Sequence, residues 1–304
     1  MRDEFTGAIR DIFDNEDFVF LTGDLGFGAF EELRSAMGAN FINAGVAEQN
    51  MVSVASGLAS EGKKTWVYSI GPFLYSRAAE QIRDDVGIHR LPVVLVGNGG
   101  GLGYGVMGPS HLAFDDYGSL LTNPGMTVLV PNFSETVRNH VSTAQKAQAP
   151  VYLRLGPDVK EPEDYHPQTH GQWTRHLKGG SGVLVSCGSL VAEYSVHFSS
   201  IPASERPSVW SLNSFPIDPQ GLPDLLLKEL AARHKILFAE EHVWQGGLGM
   251  QLSSLLVSRS FQVGREVQWR GVDERVLSNY GSRAWLLELF NLSSGQVSDW
   301  FSTS

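Results

Sequence analysis

Two short stretches carry residue types that do chemistry. The first is Asn43–Met51, NAGVAEQNM, where Glu48 follows a strand-like run and small residues. That order puts the carboxylate in the first turn of a helix, whose N-terminus stabilises negative charge. The helix it opens is rich in Ala, Ser and Gly, so another chain or a flat ligand can approach closely. Taken alone, Glu48 serves equally as charge compensation for the helix end. The second stretch is Gly99–His111, GGGLGYGVMGPSH, which follows the apolar run LPVVLVGN. Gly103, Gly105 and Gly108 spell G-x-G-x-x-G, the dinucleotide fingerprint, but the context does not fit. Pro109 follows directly, the preceding strand is not the first of its domain, and MTVLVP (126–131) ends without a ribose-binding acid. Two readings stay open: glycines that turn the backbone tightly beside a ligand and deliver His111 to a helix N-terminus, or a glycine-rich surface loop.

The elements that position these residues alternate in type. FVFLT (18–22), NFINA (40–44), TWVYSI (65–70), VVLVGN (93–98), MTVLVP (126–131) and VYLRLG (151–156) read as strands. Helical stretches are expected near 29–37, 46–60, 75–86, 112–121 and 133–147. This alternation predicts a parallel sheet covered on both faces. A polar stretch with three prolines, 157–180, then breaks the rhythm. The pattern restarts with GVLVSC (182–187), PSVWSL (207–212), KILFAEE (235–241) and EVQWRGV (266–272). The prediction is an α/β protein of two doubly wound domains, 1–158 and 180–304, joined by a linker at 159–179.

Bulk composition narrows the function classes. The 304 residues carry a net charge of −10 with no long basic run, which argues against nucleic acid. The single cysteine, Cys187, excludes an intramolecular disulfide and fits a reducing compartment. The first residues, MRDEFTGAIRDIF, read as an amphipathic helix with acids rather than a secretory signal. No apolar run approaches the ~20 residues that span a bilayer. A cytoplasmic protein without membrane partners is expected.

Several motifs come in one order: LTGDLG (21–26), NAGVAEQNMVSVASGLA (43–59), YSIGPFLYSRAAEQIRDDV (68–86), MGPSH (107–111), MTVLVPNFSET (126–136), PVYLRLG (150–156), AEEHVWQGGLG (239–249) and YGSRAWLLELF (280–290). In these the chain resembles the C-terminal half of transketolase over nearly its full length, and more closely the second subunit of a split transketolase. The resemblance implies a thiamine diphosphate pyrimidine-binding domain in 1–158 and a transketolase C-terminal-like domain in 180–304. It implies that Glu48 bonds a ring nitrogen of the aminopyrimidine and that Phe73 packs on the ring. Ile70 stands where a second family aromatic is expected and keeps an apolar wall. Asp24 matches an acid near the cofactor, and His111 a substrate-facing histidine that Asp115 is placed to orient. Glu241 and His242 match a structural hallmark near an interface. No metal ligand is expected here. The family's GDG motif is missing, so the diphosphate and its Mg²⁺ are expected on a separate pyrophosphate-binding-domain subunit, in a dimer of heterodimers.

The implied reaction moves a two-carbon ketol unit from a ketose to an aldehyde. Substrate-side positions depart from the family: Gly99 for a histidine, Met107 for an acid, Gly28 for a serine and Pro157 for an arginine. Arg2 and Arg154 remain as candidate substrate contacts. Losing several polar contacts predicts a nonphosphorylated acceptor. Two rivals are a 2-oxoacid-using subunit, like half of a deoxyxylulose phosphate synthase or a dehydrogenase beta subunit, and a catalytically silent partner subunit.

Overall fold

The structure, a computed structural model, describes residues 1–13, 17–26, 28–162, 165–264 and 266–303. Thirteen strands are described: β1 Phe18–Thr22, β2 Phe41–Asn43, β3 Lys64–Ile70, β4 Val94–Asn98, β5 Thr127–Leu129, β6 Val151–Leu155, β7 Gln168–His170, β8 Trp173–Leu177, β9 Val183–Ser186, β10 Ser208–Leu212, β11 Ser214–Phe215, β12 Lys235–Ala239 and β13 Glu266–Arg270. They form a seven-stranded sheet, β11-β5-β6-β4-β3-β1-β2, and a six-stranded sheet, β13-β12-β9-β10-β8-β7. The first six strands pair in parallel, and β9, β10, β12 and β13 do so in the second sheet. The chain therefore forms the expected pair of α/β layers.

Buried parallel strands need apolar side chains on both faces. In β1, Val19 and Leu21 join one core cluster while Phe18 and Phe20 join another on the opposite face. In β9, Val183 and Val185 likewise separate from Leu184. One cluster is common to both sheets, running from Val19 and Val67 through Tyr117 and Phe215 to Val185 and Phe238. The two sheets share a core rather than standing apart.

The helices follow the expected order with altered bounds. The acid-led helix is Glu48–Ser60, and the next prediction, 75–86, starts earlier, at Gly71–Tyr75. Pro72 sits in that helix's first turn, where its missing N–H costs nothing. The chain then breaks at Ser76 and continues as Ala79–Gln81 and a π-helical turn, Ile82–Gly87.

The stretch 159–179, expected as a linker, carries β7 and β8, with residues 163–164 outside the described set. β8 pairs antiparallel with β10 and brings β7 to the edge. Its polar composition reflects polar side chains turned inward: Thr174 accepts from Asn213, and His176 meets Ser211 at 2.6 Å. No helix among the described residues is long and apolar enough to cross a membrane.

Candidate active site

In open parallel sheets ligands bind beyond the carboxyl ends of the strands, where neighbouring strands send their connections in opposite directions. β1 and β3 are such neighbours: β1 leads to β2 on one side, and β3 leads to β4 on the other. Asp24 follows β1, Glu48 opens the helix after β2, and Ile70 ends β3 with Phe73 in the next turn. The topology thus gathers at one crevice four residues that the sequence separates.

Glu48 is 1% exposed. The Ser69 hydroxyl donates to its Oε1 at 3.2 Å and Arg77 Nη1 donates to its Oε2 at 2.7 Å. Gly23 presses against it: a Cβ there would lie 3.5 Å from Glu48 Oε1. Asp24 is exposed, with φ at +58°, and its conformation is fixed by Asn43. The Asn43 amide donates to Asp24 Oδ1 at 2.9 Å, and Asn43 Oδ1 accepts from the Asp24 and Gly45 backbone at 3.0 Å each.

Phe73 is half-buried, touches His111 directly and is linked to the acid through Arg77. The Arg77 guanidinium lies 4.5 Å from its ring centroid, and the His111 ring meets it edge-on at 4.9 Å. Ile70 is half-buried beside them. His111 Nδ1 is 3.0 Å from the Ser110 hydroxyl. Asp115, expected to orient His111, instead accepts from the Tyr75 hydroxyl. Met107 is exposed at the end of the turn Gly105–Met107.

Of the two arginines expected on the substrate side, Arg154 is held inside the fold and Arg2 lies at the surface. Arg154 is 4% exposed, and its Nε donates to Asp116 Oδ2 at 2.7 Å. Its Nη2 donates to the carbonyls of Ala113 at 2.9 Å and Glu241 at 3.0 Å. It ties the two domains together from within, which corrects its assignment as a substrate contact. Arg2 is exposed beside Asp3 and lines a groove of about 530 Å³ with Lys160 and Asn98, the register partner of Ile70.

The glycine loop answers to the second domain. Gly99 and Gly101 have φ of +78° and +66°. A Cβ on Gly101 would come within 2.6 Å of Glu241 Cβ, and one on Gly105 within 2.5 Å of the Gly281 carbonyl. The Leu102 amide donates to Glu241 Oε1 at 3.3 Å, and the Gly281 amide to the Gly105 carbonyl at 3.1 Å. Positive φ at Gly99 and Gly101, and close neighbours at all three (the Tyr104 ring, the Glu241 side chain and the Gly281 carbonyl), account for these glycines.

The AEEH motif forms the other side of that seam. Glu240 accepts from the Leu248 and Gly249 amides at 2.7 and 2.9 Å, capping the helix Leu248–Ser258, and also from Trp269 and the Tyr117 hydroxyl. Burial pushes its carboxyl up, while these hydrogen bonds pull it down. Glu241 accepts from Arg283 Nε and Nη2 at 2.7 and 3.0 Å. Burial holds the His242 imidazole down at about 3, so it is neutral. Its Nε2 accepts from the Gly118 amide at 3.2 Å and its Nδ1 donates to the Val243 carbonyl, while its ring stacks on Tyr117 at 3.8 Å. Burial pushes the Cys187 thiol up to about 12, which removes it as a nucleophile. Among the described residues no group of three or more His, Cys, Asp or Glu gathers to hold a metal ion.

Arg77, Ser69 and Asn43 are the site residues that the motifs did not single out. The only sequence signal for Arg77 is its spacing of four from Phe73, the separation of neighbours on one helix face.

Comparison with known proteins gives these sites a context. Residues 1–157 match the family model described as transketolase, pyrimidine binding domain. The chain is 29% identical to an apulose-4-phosphate transketolase subunit of Phocaeicola vulgatus over 258 residues, 82% of this chain and 80% of that protein. It is 32% identical to the 1-deoxy-D-xylulose-5-phosphate synthase of Dechloromonas aromatica over 254 residues, 81% of this chain and 39% of that protein. A solved structure described as a split gene transketolase, inactive beta4 tetramer, superposes with a TM-score of 0.80 at 27% identity, covering 99% of this chain and 96% of that one. The transketolase of Campylobacter jejuni shares the fold with a TM-score of 0.71 at 15% identity, covering 98% of this chain and 46% of that one.

Proposed function

The chain belongs to the transketolase family, and from that premise we propose that it is the subunit holding the aminopyrimidine side of a thiamine diphosphate-dependent transketolase-like enzyme. The reaction is transfer of a two-carbon ketol unit from a ketose to an aldehyde. One observation carries this reading: a buried carboxylate, Glu48, linked through Arg77 to the half-buried ring of Phe73 at the crevice between β1 and β3.

These residues fit the group. A flat heteroaromatic ring needs an apolar face and an acceptor for a ring N–H, which Phe73 with Ile70 and Glu48 would provide. When bound, the cofactor supplies the nucleophilic carbon and the electron sink. Glu48 would hold the ring's tautomer by accepting a hydrogen bond from its proton-bearing nitrogen, a general acid–base task. His111, in edge contact with Phe73, would face the substrate and move a proton at its hydroxyl. Asp24, pinned by Asn43, would border the ring.

The diphosphate and Mg²⁺ belong, in this reading, to a separate pyrophosphate-binding subunit, in a dimer of heterodimers. The neighbour described as an inactive beta4 tetramer supports an isolated chain that is inactive without that partner. A nonphosphorylated aldehyde acceptor is supported by apolar Met107, exposed four residues before His111, and by Arg154 being committed to Asp116. The similarity to a deoxyxylulose phosphate synthase supports a second reading, in which a 2-oxoacid is the donor.

The test is native mass spectrometry of the tagged chain purified from its own cells with thiamine diphosphate and Mg²⁺. The expected result is a complex with a second chain, carrying the cofactor. A homo-oligomer without cofactor overturns the reading. The complex is then assayed with matched free and phosphorylated aldehydes. Strong preference for the phosphorylated one overturns the acceptor assignment, and pyruvate consumption without ketose cleavage establishes the 2-oxoacid reading.

A further inference from the structure

A carboxylate out of water needs partners for its charge. Among the described residues two side chains serve Glu48: Ser69 at 3.2 Å and Arg77 at 2.7 Å. Arg77 makes a second contact, its guanidinium carbon lying 4.5 Å from the Phe73 ring centroid. A guanidinium is planar, presents N–H donors in its plane and stacks on aromatic faces. An aminopyrimidine ring has the same properties. The two contacts of Arg77 are therefore the two that such a ring would make here: a face against Phe73 and an N–H toward Glu48.

We propose that Arg77 is the placeholder of the ring: guanidinium and aminopyrimidine use Glu48 and Phe73 in turn, and entry of the ring drives Arg77 out. The proposal rests on the reading of the site given above. Three features suit the exchange. The Arg77 side chain is 43% exposed, so its departure leaves the core undisturbed. It stands in the break between the helices Gly71–Tyr75 and Ala79–Gln81 rather than inside either. Glu80, exposed just beyond, offers its cation another carboxylate.

The role has an unusual signature. Removing Arg77 takes a competitor away from the ring and, at the same stroke, takes the cation away from Glu48. Cofactor binding should strengthen while the chain without cofactor becomes less stable. A residue that only supports the fold would weaken both, and a residue that touches the bound ring would weaken binding.

The experiment uses the complex of this chain with its partner. Thiamine diphosphate with Mg²⁺ is titrated by isothermal calorimetry into wild type, Arg77→Gln and Arg77→Lys, and thermal unfolding is followed without cofactor. The expected result for Arg77→Gln is a Kd lower by about tenfold, the penalty that a site about nine-tenths occupied by its own side chain imposes, together with a lower Tm. Arg77→Lys keeps a cation beside Glu48 but no planar face on Phe73. It should hold the Tm and still bind more tightly than wild type. If Arg77→Gln does not assemble, Arg77→Lys decides alone. An unchanged or higher Kd in the variants, with wild type binding normally, overturns the placeholder and leaves the site reading standing. A wild-type complex that takes up no cofactor overturns both.

Discussion

Glu48 lies out of water at the head of a helix, and its neighbours Phe73 and His111 continue the line outward. If that line is the working site, Glu48→Ala in the assembled enzyme lowers kcat by about 100-fold or more, the scale of a lost acid–base group. Unchanged turnover in that variant would put the silent-subunit reading ahead. Arg154 leads to a different expectation. Arg154→Met leaves Asp116 buried without its cation, so urea unfolding should show a loss of about 3–5 kcal/mol. KM for a phosphorylated aldehyde should stay as it was; a raised KM with intact stability would restore Arg154 as a substrate contact. These residues also mark what one chain's letters disclose. Glu48, Phe73 and His111 stand in motifs whose local order betrays them. Ser69 and Arg77 reach Glu48 across 21 and 29 residues, and no local pattern records such a meeting. Arg154 sits at the end of a strand like a ligand contact, and only the packing of Asp116 beneath it shows where its guanidinium goes.

The glycine-rich connection after β4 is bound at both ends of its length to the second domain, through Glu241 and through Gly281. Gly101→Ala meets both a positive φ and a side chain 2.6 Å away. It should cost about 2–4 kcal/mol in chemical unfolding, from backbone strain and overpacking together. Gly105→Ala should also destabilise, since its Cβ would lie 2.5 Å from the Gly281 carbonyl. If both alanine variants unfolded like wild type, the account of the loop as a close seam with the second domain would be wrong. At this scale the strands were legible because runs such as VVLVGN are apolar on both faces. The helix expected at 75–86 starts earlier in the structure, because the turn begins with Gly71 and Pro72 and its break at Ser76 has no breaker residue. The hairpin β7–β8 leaves no apolar alternation in the sequence because its inward groups include Thr174 and His176, whose partners Asn213 and Ser211 come from some way along the chain.

Across the whole molecule, histidines buried neutral set the response to acid. Burial holds both His176 and His242 at about 3, against 6.5 for a free imidazole. The folded state therefore binds fewer protons than the unfolded state between those values. Their contribution to stability is complete above pH 6.5 and drains away as pH falls toward 3. From pH 7 to pH 5 each should cost about 2 kcal/mol, read as a shift of the denaturation midpoint. Glu240, whose carboxyl is raised, acts with the opposite sign on acidification. His176→Gln and His242→Gln should each flatten the slope, and an unchanged slope would show the imidazoles to be solvated. Ser214 and Phe215 leave the second domain to lie antiparallel against Leu129 and Val128 of β5, at the margin of the first sheet. An open strand edge pairs with whatever chain it meets, and here the neighbouring domain supplies the cover. The two halves are thus poor candidates for exchange by recombination: a chimera carrying a foreign C-terminal domain inherits an uncovered β5 unless the crossover also brings a strand to replace β11.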